Sequence, residues 1–425
     1  IKVLPSLYDI LFWGANFSVL ESAPGSDGSE RQKCRKQTPC GEEFRSLSAY
    51  HIQLGIATIK EKKAFRRFSL ESPIDQCYTK HTRRTAGLLY KERDRKMDGF
   101  QSTECLYKIE KNHAVITACR SFDTRAWIPE AIGGYPVEEI APYAFSAERR
   151  SEPEGIWTVN EEAAGRGETG TPPRLEGLRL KELHLPSSMK KIGQYAFYNC
   201  EEWEKIYFYG SLRDFGAGAF TGCKKLGYVD VTMEPGVKSG LKDIITELRQ
   251  EVKVDYRIRE NGECYLAAKL IFPEFYEEAV ENTPARIISC VTHGSGHFYR
   301  YTFDGKEIKF RDYDAQFANL ILTDREELCV QMAVNRLRYP YSLAAEHREA
   351  YENYLSGHKL AAARLALKGQ DMELLKWILD IAEFSREDLE DAVKAADELK
   401  YPEGLSFLMD YRHERFKPKR KRFEL

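Results

Sequence analysis

Apolar residues between positions 180 and 231 fall into three registers of the pattern L-x-x-L-x-L. Leu180, Leu183 and Leu185 are followed 23 residues later by Trp203, Ile206 and Phe208, and 23 later again by Leu226, Val229 and Val231. Alternation of these with polar positions predicts one short strand per register, every second side chain turned inward. The same offset carries Ile192, Ala196, Phe197 and Cys200 onto Phe215, Ala219, Phe220 and Cys223. One such unit cannot cover its own apolar side, so the period predicts coils stacked about 4.8 Å apart over a shared core. The small Ala leaves room for the Phe. Cys200 and Cys223 are expected one above the other as buried apolar groups, not as a redox pair.

A partial earlier copy lies in "GGYPVEEIAPYAF", residues 133–145, where Ile140, Ala144 and Phe145 precede Ile192, Ala196 and Phe197 by 52 residues. That is one period plus an insertion of 29. The added residues, about 147–173, are charged, rich in Gly and Pro and without apolar period. They predict a long exposed loop, with a partner-contacting arm as the other reading. Gly216-Ala217-Gly218 opens like a dinucleotide fingerprint, but Thr221 stands where the third glycine belongs and no βαβ pattern follows. These glycines read as loop punctuation.

The stretches "IPEAIGGYPVEEIAPYAF", "LKELHLPSSMKKIGQYAFYNCEEWEKIYF" and "GSLRDFGAGAFTGC" resemble the BspA-type bacterial leucine-rich repeat family, whose repeat is close to L-P-x-S-L-x-x-I-G-x-x-A-F-x-x-C-x-x-L. The resemblance covers about residues 105–232, with Met189 at the expected Leu and Phe215-Gly216 at the Ile-Gly. It implies a non-catalytic solenoid used for protein contacts, in a family with many secreted or surface-attached members.

From Leu241 the period changes. "LKDIITELRQEVKV", residues 241–254, predicts one helix with Leu241, Ile244, Ile245 and Leu248 on one face, and "FPEFYEEAVENTPARI" predicts a short helix ending before Pro284. His293 and His297 have the spacing of a zinc-binding H-x-x-x-H, but Gly294-Ser295-Gly296 opposes the helix that would bring both imidazoles to one face. Asp304-Gly305 predicts a two-residue hairpin turn instead. Tyr301 then faces Ile308 and Tyr299 faces Phe310, with Phe303 on the same side; Arg300, Thr302, Glu307, Lys309 and Arg311 take the other.

The C-terminal hundred residues have helical period. Thr323-x-x-Glu326 and Ser385-x-x-Asp388 are capping signals. "AAARLALKGQDMELLKWILD" recurs 30 residues later as "DAVKAADELKYPEGLSFLMD", matching Ala362, Ala366, Glu373, Leu375 and Asp380 to Ala392, Ala396, Glu403, Leu405 and Asp410. Small residues on a first helix and bulky ones on a second predict stacked helix pairs. They weakly resemble ankyrin-like repeats, without the 33-residue period or the T-P-L-H turn.

The formal charge of −2 over 425 residues conceals a contrast. Residues 1–96 hold 18 basic against 11 acidic side chains, leaving −9 for the remainder. The first methionine is Met97. Residues 1–96 are therefore expected to be a stretch foreign to the native protein, with a weakly folded basic extension as the alternative. The opening apolar run carries Asp9 and lacks a cleavage pattern, so it is not expected to be a signal peptide. No window reaches a membrane-spanning length without charges. Ten cysteines without a C-x-x-C pair predict neither a disulfide framework nor a zinc site. The basic run in "FKPKRKRFEL" is read as a solvated tail, and nucleic acid is not expected as a partner.

The expected fold class is α+β: residues 97–240 a short leucine-rich-repeat solenoid, 241–322 a helix plus β-hairpin module, 323–416 an all-α helical-repeat domain, and 417–425 a basic tail. The expected function is a non-catalytic, cytoplasmic protein-protein interaction scaffold without cofactor or metal. The alternative is a bacterial surface-associated, adhesin-like protein lacking its N-terminal signal. Tyr207 and Tyr209 on the solenoid strands are the candidate protein-binding residues.

Overall fold

The computed structural model describes residues 103–149, 151–158, 170–282 and 287–416. The expectations for residues 1–96 and 417–425 lie outside the described residues.

A hairpin of β1 (Glu104–Glu110) and β2 (His113–Arg120) opens the solenoid. The coils then alternate between two sheets: β3 (Arg125–Trp127), β4 (Ala131–Ile132), β5 (Tyr135–Ile140), β6 (Ile156–Trp157), β7 (Glu182–His184), β8 (Lys191–Ile192), β9 (Lys205–Tyr209), β10 (Asp214–Phe215) and β11 (Tyr228–Met233). In one sheet β2, β5, β8 and β10 pair in parallel. In the other β3, β7, β9 and β11 do, continued in parallel by β12 (Val252–Glu260) and closed by antiparallel β13 (Glu263–Phe272).

The inward column of the second sheet is Ala126, Leu183, Ile206, Val229 and Val254, laid side by side by the register and each at most 1% exposed. Phe145, Phe197 and Phe220 stack at the turns, 5.1 and 6.1 Å apart, and Trp203 lies 4.4 Å from Phe197. Each buried Phe contributes about 1.5–3 kcal/mol. Cys200 Sγ donates to the Phe145 carbonyl and Cys223 Sγ to that of Phe197, so each thiol reaches back one coil as a small buried group.

Gly216 is not loop punctuation. A Cβ there would meet Gln194 N at 2.2 Å, and one at Gly193 would meet Pro142 N at 2.4 Å. The Ile-Gly of the repeat is where successive coils touch backbone to backbone. Gly218, with φ +65°, occupies the left-handed position that Tyr143 and Tyr195 hold in earlier coils.

The insertion does not stand wholly free. Its β6 adds to β1, Thr117 donates to the Glu154 carbonyl, and the Arg120 guanidinium lies 4.2 Å over Trp157. Its residues 159–169 lie outside the described residues.

Between residues 241 and 310 three expectations change. Helix α1 spans Leu241–Glu247 only, and residues 252–254 belong to β12, so the solenoid sheet continues beyond the expected boundary. Pairing with β11 fixes this segment more strongly than its helical period. The expected helix before Pro284 is β14 (Tyr276–Asn282), an antiparallel partner of β15 (Ile287–His293). The β-branched run of β15 supplies a cross-strand neighbour that the isolated stretch did not reveal.

The third change concerns the hairpin. Only β16 (Phe303–Asp304) and β17 (Glu307–Ile308) pair, with Phe303 opposite Ile308 around Gly305-Lys306. Tyr299 lies in α2 (Gly296–Arg300) and Phe310 opens α3 (Phe310–Ala315), so neither faces the other across a ladder. Burial decides this: Tyr299 is fully enclosed and its hydroxyl lies 3.1 Å from Met332 Sδ. His293 ends a strand and His297 sits in α2, and no group of three metal-ligating side chains occurs among the described residues.

Helix α4 (Phe317–Thr323) leads to three helix pairs: α5 (Glu326–Arg338) with α6 (Ala345–Gly357), α7 (Lys359–Lys368) with α8 (Met372–Ile381), and α9 (Arg386–Glu398) with α10 (Pro402–Arg415). Their first helices pack in the order α5, α7, α9. Thr323 does not cap α5, whose N-cap is Arg325; its hydroxyl donates back to the Asn319 carbonyl at the end of α4. Ser385 forms a complete capping box with Asp388. The 30-residue repeat is exact in the turns: Gln370 and Lys400 have φ +50° and +52°, and Asp371 and Tyr401 donate to the carbonyls of Ala366 and Ala396. Ala362, Ala366, Ala392 and Ala396 are all buried, letting α7 and α9 approach closely.

Candidate protein-binding face

The outward side chains of the second solenoid sheet stand in rows because parallel strands keep equivalent residues side by side. One row runs Trp127, His184, Tyr207, Asp230, Asp255. Its first three rings are stacked: Trp127 and His184 have centroids 4.0 Å apart at 13°, and His184 and Tyr207 4.0 Å apart at 8°. Three coils thus present one continuous aromatic stack. Tyr228, in the neighbouring row of Glu182 and Lys205, extends it at 5.9 Å from Tyr207.

His184 Nε2 lies 2.6 Å from Glu182 Oε1. Burial works to raise the Glu182 carboxyl, but this hydrogen bond and the charges of His184, Lys205 and Arg125 hold it below the usual carboxylate range. The imidazole is thereby fixed in the plane that the stack requires.

Beyond Tyr207 the row turns ionic. Arg257 Nε donates to both oxygens of Asp230 at 3.1 and 2.9 Å, Tyr228 donates to Asp255 at 3.0 Å, and Lys269 lies 3.6 Å from Asp255. Burial, with the charges of Asp255 and Asp230, pushes the Tyr228 phenol well above its usual range, so it remains a donor. Tyr209 stands in the next outward row, level with Thr232, with the Arg259 guanidinium 5.0 Å over its ring.

Both sequence-chosen tyrosines therefore lie on one face and are half-buried. Trp127, His184 and the Asp230–Arg257–Asp255 cluster were missed. The signal for His184 and Asp230 was present, since they lie one period before and after Tyr207; Trp127 was hidden because the insertion sets it 57 residues before His184. His184, Asp230 and Asp255 are themselves buried, so the area open to a partner comes from the half-buried rings of Trp127, Tyr207 and Tyr209, which their neighbours hold at low ordering cost.

Residues 175–239 match the family described as BspA type leucine rich repeat region (6 copies). Residues 175–239 are a BspA-type leucine-rich repeat region. The matched stretch holds three strands of the second sheet, β7, β9 and β11, fewer than the six copies of the description. Within the matched residues the repeat carries the Gly193 and Gly216 backbone contacts, the Ala196-Phe197 and Ala219-Phe220 plugs, and the buried Cys200 and Cys223. Among solved structures, a leucine rich repeat protein of T. pallidum is similar at 17% identity, over 32% of this chain and 73% of that one, with a TM-score of 0.18. No curated protein matches the chain. Among the described residues no helix is long and apolar enough to cross a membrane.

Proposed function

We propose that this chain is a non-catalytic protein-protein interaction scaffold that engages partners through the outward face of its second solenoid sheet. The observation carrying this reading is the Trp127–His184–Tyr207 stack at 4.0 Å spacing, beside Tyr209 and the Asp230–Arg257 pair. Aromatic rings locked by neighbours lose little freedom on binding, and such residues dominate interface energies. On this reading the solenoid part runs from β1 through β13, and the stacked helix pairs of 323–416 form an ankyrin-like second contact surface.

A photo-crosslinking side chain at Tyr209, compared with one at Lys224 in the turn between β10 and β11, tests the assignment. Partner adducts from position 209 that disappear when Tyr207→Ala is added, with unchanged melting, are expected. Equal adducts from both positions would remove the basis for the reading. The proposed location is the cytoplasm; recovery at the cell surface after fractionation would instead favour the adhesin-like alternative.

A further inference from the structure

A cavity of about 310 Å³ lies between α1, β14 and α2, away from the aromatic stack. Its floor includes Arg300, only 4% exposed. Backbone carbonyls hold the guanidinium: the single Nε–H is shared between Ile245 (3.1 Å) and Leu248 (2.8 Å), Nη1 donates to Pro273 (2.7 Å) and Gly296 (2.8 Å), and Nη2 donates to Gln250 (2.9 Å), which leaves one Nη2 N–H without an acceptor among the described residues. These acceptors take four of its five N–H groups and close the end of α1. They are neutral, however, and among the described residues no carboxylate pairs with it. Burial alone lowers its pKa, to about 10. A buried charge without counter-charge is costly even when hydrogen-bonded.

The rest of the lining adds to the imbalance. Lys242 and Arg249 bring two further cations, and the one carboxylate there, Glu277, is held by Arg249 at 3.2 Å. The walls are aromatic. Phe275 carries the guanidinium of Arg300 at 4.7 Å and that of Arg249 at 5.8 Å, and Tyr301, 73% exposed, stands at the mouth. A concave site of this size, with aromatic walls and three cations against one carboxylate, has the build of a pocket for a small anion.

The geometry points to a binding site for an anionic group, phosphate or carboxylate, carried on an aromatic body. The anion supplies the counter-charge that Arg300 lacks within the chain, and the ring lies against Phe275 and Tyr301. This site is independent of the solenoid face.

The full-length chain is titrated calorimetrically with phenyl phosphate, benzoate, inorganic phosphate and, as neutral isostere, benzyl alcohol. Phenyl phosphate and benzoate are expected to bind at least about tenfold more tightly than benzyl alcohol, with affinity falling as salt rises. Lys242→Ala is expected to weaken both about tenfold without moving the melting temperature, and Tyr209→Ala to leave them unchanged. Phenyl phosphate stronger than inorganic phosphate supports an aromatic anion such as a modified side chain; inorganic phosphate binding as tightly overturns the aromatic part of the proposal. Benzyl alcohol binding as tightly as the anions, no binding of any anion at millimolar concentration, or full affinity in Lys242→Ala with Arg249→Ala overturns the proposal.

Discussion

Arg336 and Asp314 form a two-pronged ion pair, Nε to Oδ1 at 2.7 Å and Nη2 to Oδ2 at 2.9 Å, with both side chains wholly out of water. The Tyr351 hydroxyl donates to Asp314 at 2.9 Å, and Arg336 also donates to the carbonyls of Tyr339 and Tyr341. One closed polar knot thus ties α3 to α5 and α6.

Removing one partner strands the other. Arg336→Met is expected to cost about 3–5 kcal/mol in urea unfolding, because the Asp314 carboxylate stays buried. Adding Asp314→Leu is expected to recover most of that loss. A single Arg336→Met variant as stable as the parent would contradict the described burial.

The aromatic plug offers a second test. Phe197 is fully enclosed and touches Phe145, Phe220 and Trp203. Truncation to Ala is expected to cost about 3–5 kcal/mol, read from the denaturant midpoint. Phe197→Asp is expected to abolish solenoid folding, since the new carboxylate would have no partner among those rings.

Backbone contact between coils makes the repeat glycines intolerant. Gly193→Ala and Gly216→Ala each place a methyl within 2.4 Å of the neighbouring coil's backbone. Each is expected to lower stability by about 1–3 kcal/mol by thermal melting, through overpacking. An unchanged melting temperature would mean that the coils stand further apart.

Thiol reactivity reports the stacking directly. Burial pushes the Cys200 thiol up to about 12 and the Cys223 thiol higher still, whereas Cys290 is exposed. The thiolate is the reacting species. At mildly alkaline pH, iodoacetamide is expected to label Cys290 in the native chain and to reach Cys200 and Cys223 only on unfolding, as peptide mass spectrometry would read out.

The capping box of α9 carries a pH dependence. Burial opposes ionisation of Asp388, but hydrogen bonds from Lys359 and from the Ser385 hydroxyl and amide together hold its carboxyl below the ordinary 3.8. A depressed carboxyl stabilises above its unfolded pKa and loses that contribution as pH falls through the folded value. Ser385→Ala is expected to cost about 1 kcal/mol at neutral pH. Asp388→Asn is expected to destabilise at neutral pH, with the difference closing below 3.8; a gap that persists in acid would contradict the assignment.

The repeated part of this fold was legible because each coil repeats one short-range rule. A 23-residue period fixes which side chains face inward, and the column of Leu183, Ile206 and Val229 follows from stacking alone. The helix pairs were readable for the same reason, through the 30-residue match of Ala362 and Ala366 to Ala392 and Ala396; the match of their turns came from the structure. Tyr207 and Tyr209 were found as strand residues, but not the stack that makes Tyr207 part of a surface.

What the chain order could not express was left to tertiary contact. Trp127 joins His184 across 57 residues of sequence because β3 pairs with β7, and the segment after Leu248 becomes a strand because β11 offers it an edge. Tyr299 and Arg300 leave the expected hairpin for a helix because one fills a core and the other finds five carbonyls. Local pattern sets the period and the inward face of a repeat; competition among distant partners for buried area and hydrogen bonds decides everything that occurs once.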